Sequence, residues 1–242
     1  MPIIEAIILY LVLFFPSVFS TLEEGRAIAF SINQELSRIF IYNAPSLTLV
    51  WVLLLWKKSP APAKPLFSPV PRNFTGLNPM ASFLFNAGDI LLTFIFALSG
   101  LLIINISASL ANGLAERVTG SRFDFEVDVS FQTPDTAAGW WVLCLSCLSA
   151  GYLEESFFRV YLSDRLKKCG FYPAMLMSSV SFAYCHLYEG VFGVVNALLA
   201  GLFLFFIFNK RKYSAGMQTL HAIALAHGAY NALVYVAIAL DI

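Results

Sequence analysis

The chain has 242 residues, of which 59% are apolar and only 12% charged, with a mean hydropathy of +0.74. A water-soluble domain carries roughly a quarter charged residues, so this composition excludes one and identifies an integral membrane protein. Fifteen basic residues balance fifteen acidic ones, which removes the positive field that nucleic-acid binding uses and leaves the lipid bilayer as the expected partner.

Taken in chain order, Ile3 to Phe19 has the length of a membrane span. Glu5 and the lack of Lys or Arg before it argue against a signal peptide. Leu22 to Arg38 is mixed and reads as an interfacial loop or short amphipathic helix. A second span is expected from Ile39 to Trp56, with a kink at Pro45. Residues 59–79 contain six of the eleven prolines and read as an extended, solvated linker. A third span follows from Met80 to Ile106 and includes Asp89, for which an interfacial or hydrogen-bonded structural role is expected. Ser107 to Asp135 turns polar and reads as a solvent-facing loop. The remainder divides into four spans, about 137–165, 171–188, 191–208 and 215–240, each long enough to cross roughly 30 Å of hydrocarbon. The expected fold is therefore all-α and polytopic, with about seven transmembrane helices around an intramembrane polar cavity. The expected organisation is an N-terminal three-helix region over 1–136 and a four-helix core over 137–240.

Ten Lys and Arg residues, in the linker, around Arg165 to Lys168 and at Lys210 to Lys212, fall on one side of this arrangement. The opposite side holds Arg26, Arg38, Arg117 and Arg122 with most of the acids. The positive-inside rule then places the amino terminus in the cytoplasm and the carboxy terminus outside. The compact length points to a prokaryotic cell membrane. Cys144, Cys147, Cys169 and Cys185 lie in or beside apolar segments, so no disulfide framework is suggested, and Cys144-x-x-Cys147 is read as small buried side chains rather than as a redox or zinc pair.

The apolar C-terminal block is interrupted by ionisable groups in three places: Glu154, Glu155 and Arg159 on the first span, His186 on the second, and His227 on the last. Charges cost about 2.5 to 3.5 kcal/mol each at a bilayer centre on insertion scales, so such groups mark function by default. Each of the three places lies about 13 to 15 residues from the basic face, a common depth of roughly 20 Å. On a helix, Glu155 and Arg159, Phe182 and His186, and His227 and Asn231 form i, i+4 pairs that share a face.

The chemistry follows from the residue types. Glu155 has Arg159 one turn away to hold it ionised. Glu154 has no such cation on its own helix and is the better general base for water. A histidine can hold that water or move its proton, and a second histidine with an asparagine amide can donate to an oxyanion. These are the parts of a hydrolase. Two other classes share the ingredients. A proton-coupled transporter also buries Glu, His and Arg, although no repeat is visible here. A scaffold or immunity protein would retain the motifs without catalysis.

Glu154-Glu-x-x-x-Arg159, Phe182-x-x-x-His186 and His227-x-x-x-Asn231, in this order on separate spans, resemble the three motifs of the CPBP intramembrane proteases. That family includes type II CAAX prenyl endopeptidases and bacteriocin-processing or immunity proteins. The resemblance covers about residues 137–240. It implies an endopeptidase acting on a membrane-associated, in some members prenylated, protein or peptide. It implies that Glu154 activates water with help from His186, that His227 and Asn231 serve the oxyanion, that Glu155 and Arg159 support the site, and that Phe182 shapes it. No cofactor is required by this scheme. Zinc is the alternative, with Glu154, His186 and His227 as ligands. The spacing argues against zinc, because the histidines come from different helices and lack the His-Glu-x-x-His pattern. His221 falls outside the motifs.

Overall fold

The computed structural model describes residues 2–20, 30–56, 79–120 and 132–240. The proline linker, the acidic stretch around Glu126 and residues 21–29 lie outside them. The described residues are helical with no strand. Helix α1 spans Pro2–Ser20. Helix α2, Ile32–Ser37, runs through a π-helical turn, Arg38–Asn43, into α3, Ala44–Trp56. Helix α4 is Pro79–Thr119. Helix α5, Ala137–Glu155, continues through a second π-helical turn, Ser156–Tyr161, into α6, Leu162–Leu166. Helix α7 is Phe171–Tyr184 and α8 is Gly190–Ala239.

Among the described residues, four helical stretches are long and apolar enough to cross a membrane: Ile32–Trp56, Ala87–Thr119, Leu187–Lys210 and Met217–Ala239. The last two are the halves of α8. A straight helix of 50 residues would be about 75 Å long, and residues 34 apart in it would be separated by roughly 50 Å. Yet Asn196 Nδ2 donates to the Tyr230 hydroxyl at 3.2 Å. The two halves therefore lie side by side, as the expected break near 208–215 requires. The polytopic all-α fold stands.

Three expected boundaries shift. The second span begins at Ile32, not at Ile39, so part of the expected interfacial stretch is helical. Its π-helical turn ends just before Pro45, whose missing N–H and crowded ring disfavour regular bonding to the preceding turn. Helix α4 continues through Ser107–Thr119, which was expected to be a loop. That segment has Ala, Leu, Glu and Arg among its residues and no proline, and it ends where the Gly120 N–H bonds to Glu116 O at 2.9 Å. Helix α7 stops at Tyr184, short of the expected 188. At 14 residues it is about 21 Å long, less than the bilayer core. The chain passes through a turn at Cys185 and His186 and a 3₁₀ turn, Leu187–Glu189, before α8. Gly170 and Gly190, with φ of +91° and +75°, allow the reversals on either side of α7 and its turn.

Helix α8 packs against α4, α5 and α7, and α1 packs against α6. The core centres on an aromatic group from three helical bodies: Tyr10, Phe14, Phe157, Phe158 and Phe182. Outward-facing Ile, Leu and Val side chains are exposed along α1, α3, α4 and α8. That pattern matches helices whose outer faces meet lipid.

Candidate active site

The helices that carry the first and third motifs meet backbone to backbone. A Cβ on Gly151 would lie 2.7 Å from Ala224 O and 2.9 Å from Gly228 N. A Cβ on Gly228 would lie 2.7 Å from Leu148 Cα and 3.0 Å from Cys147 O. Only glycine permits this approach, which is the small-residue packing that lets membrane helices close together. Gly151 sits three residues before Glu154, and Gly228 adjoins His227. The crossing thus brings the carboxylates and the imidazole to one level.

At that level Glu155 and Arg159 are both fully buried. Arg159 Nε donates to Glu155 Oε2 at 2.9 Å and Nη2 to Oε1 at 3.4 Å, a two-pronged pairing. The π-helical turn begins immediately after Glu155 and contains Arg159. The guanidinium also lies 5.0 Å from the Phe182 ring centroid, and Nη1 is 3.5 Å from Ser178 Oγ, which itself donates to Phe158 O at 2.9 Å. Sequence reasoning identified the Glu155–Arg159 pair. It missed that Glu155 has a second partner: His227 Nδ1 lies 2.9 Å from Glu155 Oε1. One carboxylate orients both the arginine and the histidine.

His227 Nε2 points at Glu154, 3.6 Å from Oε2, which is long for a hydrogen bond. The Glu154 side chain retains 22% of its exposure, but Oε2 is buried and has no hydrogen-bond partner among the described residues. Tyr42, Cys185 and Tyr188 lie within electrostatic reach of this carboxylate.

His186 is not on the helix as the i, i+4 reading expects. It follows the end of α7, and its Nδ1 lies 2.9 Å from Phe182 O. A carbonyl only accepts, so Nδ1 carries the proton and Nε2 is the free nitrogen. The Phe182 ring packs against both histidines, 4.6 Å from His186 and 5.7 Å from His227, centroid to centroid. Asn231 is half-buried one turn beyond His227. Among the described residues, neither His186 nor Asn231 hydrogen-bonds to Glu154. His221 pairs with the Tyr152 hydroxyl at 3.1 Å, apart from this cluster.

The donor set fits zinc poorly. Among the described residues no group of three His, Cys, Asp or Glu side chains is arranged to hold a metal ion. Glu155 is committed to Arg159 and His227, and the buried guanidinium places a positive charge beside the cluster.

Beyond the three motifs, polar contacts tie the N-terminal helices to the block. Asn43 Nδ2 donates to Ser149 Oγ at 2.7 Å, and Ser146 Oγ donates to Glu35. Tyr161 Oη and Arg165 Nη2 donate to Glu5 Oε1 at 2.7 and 3.3 Å. No short motif in the sequence marks these pairs.

Comparison with curated proteins and with solved structures found no match. A family model does match: over residues 136–233, the segment that holds all three motifs, the chain matches the Rce1-like type II CAAX prenyl endopeptidases, in agreement with the resemblance carried by Glu154, His186 and His227.

Proposed function

We propose that the protein is an intramembrane endopeptidase in which Glu154 activates a water molecule against a peptide bond of a membrane-associated protein or peptide. The observation that carries this reading is the division of labour between adjacent carboxylates. Glu155 is engaged by both Arg159 and His227, whereas Glu154 Oε2 is buried, 3.6 Å from His227 Nε2 and without a hydrogen-bond partner among the described residues. A general base needs such a free lone pair in a water-poor setting.

In this reading Glu154 takes a proton from water while the oxygen attacks the scissile carbonyl carbon. His186, whose Nε2 is free, accepts a hydrogen bond from the same water. Both ring nitrogens of His227 face carboxylates, an arrangement that the doubly protonated imidazolium satisfies. In that form Nε2–H, with the Asn231 amide, donates to the oxyanion. The C–N bond then breaks, and the proton held on Glu154 passes to the leaving amine. Phe182 packs against both imidazoles and lies under Arg159, which fixes the wall of the site. Glu5 at the start of α1 pairs with Arg165 beside Lys167 and Lys168, which supports a cytoplasmic amino terminus under the positive-inside rule.

The test compares the membrane proteome of cells carrying the wild-type chain with cells carrying Glu154→Ala. A cleavage product present only with the wild type is expected and would identify the substrate. Identical proteomes would remove the proteolytic reading.

A further inference from the structure

Tyr10 lies on α1, outside the segment that matches the family model. Its hydroxyl nevertheless reaches the turn that presents His186. The end of α7 departs from α-helical bonding: the Cys185 N–H goes to Phe182 O at 3.1 Å and the His186 N–H to Ala183 O at 2.9 Å, each three residues back. This tightening deprives Ser181 O of the donor four residues ahead that a continuing α-helix would supply. Tyr10 Oη replaces it, donating to Ser181 O at 2.9 Å. Cys185 Sγ, a weak donor, reaches the same carbonyl at 3.4 Å and lies 3.4 Å from the tyrosine oxygen. Inside a bilayer a poorly satisfied carbonyl is strongly disfavoured, and without Tyr10 only the weak thiol donor would remain, so the Cys185 N–H would be drawn back to Ser181 O. That rotation would move the peptide that sets the direction of His186 and its bond from Nδ1 to Phe182 O.

The tyrosine is itself held in place. Its ring packs against Phe14, Phe157 and Phe158, with centroids 5.9, 6.3 and 6.3 Å away. One end of α1 is anchored through Glu5 to Tyr161 and Arg165.

We infer that Tyr10 is a positioning residue for His186: it holds the end of α7 in its tightened turn and so keeps Nδ1 as the donor and Nε2 free toward the site. The inference rests on the reading of His186 as a member of that site. The test is Tyr10→Phe in the full chain, purified in detergent with isotope-labelled histidine. The chain has only three histidines, so each imidazole can be assigned by NMR. The ring packing is retained and only the hydroxyl is lost. The His186 signals are expected to move away from the pure Nδ1–H tautomer, while those of His221 and His227 stay in place and show that the fold is intact. On the substrate found by the proteome comparison, kcat should fall about tenfold with KM within twofold. A His186 spectrum that coincides with that of the wild type overturns the inference, even if kcat falls. If Tyr10→Phe does not fold, Tyr10→Met, which keeps apolar volume at the same place and carries no donor, should give the same displacement, and an unchanged His186 spectrum there overturns it as well. A wild-type protein that cleaves nothing refutes the proteolytic reading alone and leaves the NMR comparison to decide the role of Tyr10.

Discussion

Replacing Arg159 with methionine tests the buried charge cluster most directly. Methionine preserves most of the side-chain volume against Phe158 and Phe182, so the change is chiefly one of charge and hydrogen bonding. The Glu155 carboxylate, fully buried, would lose both of its guanidinium bonds and keep only His227. Removing one partner of a buried pair costs about 3 to 5 kcal/mol, because the other charge stays buried and uncompensated. Loss of the cation over the Phe182 ring, at 5.0 Å, adds about 1 kcal/mol. For a chain of this size each kcal/mol corresponds to roughly 2 to 4 °C, so the thermal midpoint in detergent should fall by at least about 8 °C. The double variant Glu155→Gln/Arg159→Met removes both charges together and should recover about half of that loss, since no unpaired carboxylate remains. A single variant within about 2 °C of the wild type would refute the reasoning, and so would a double variant whose loss equals the sum of the two single ones.

Other outcomes follow from the same geometry. Gly228→Ala should abolish cleavage and destabilise the fold, because its Cβ meets backbone atoms of α5 at 2.7 and 3.0 Å; Gly113→Ala, with open space around it, is the control, and equal activity of the two would remove the role given to the helix crossing. Glu154→Gln should lower kcat at least 10²-fold with an unchanged thermal midpoint, whereas Asn231→Ala should cost less, about 2.7 to 4 kcal/mol in transition-state stabilisation; full activity of Glu154→Gln ends the proposal of a glutamate base. Prolonged chelation should leave activity unchanged, and activity that vanishes with the chelator and returns only with zinc would reassign Glu154, His186 and His227 as ligands. Cysteines introduced at Ala63 and Glu126 should label from opposite sides of the membrane; labelling from one side would overturn the seven spans expected from the sequence.

The sequence by itself determined the membrane class, the placement of most apolar segments and the residues of the three motifs. Hydropathy and the cost of burying charge act residue by residue, so Glu154, Glu155, Arg159 and His227 stand out in an apolar chain without knowledge of their neighbours. The pairing of Glu155 with Arg159 was legible because it lies within one helical turn. The tertiary structure alone decided what lies between helices. It gave Glu155 a second partner in His227, left Glu154 Oε2 without a hydrogen bond among the described residues, and set His186 in a turn tied to Phe182 O rather than on a helix face. It also fixed how far Asn43, Glu5 and Tyr10 of the N-terminal helices reach into the C-terminal block. Such contacts depend on where two helices cross and how each is rotated. A shift of one residue turns a side chain by about 100°, and nothing local in the chain records it. At Gly151 and Gly228 the glycines were visible in the sequence, but only the packed helices show that their missing side chains bring a carboxylate to an imidazole.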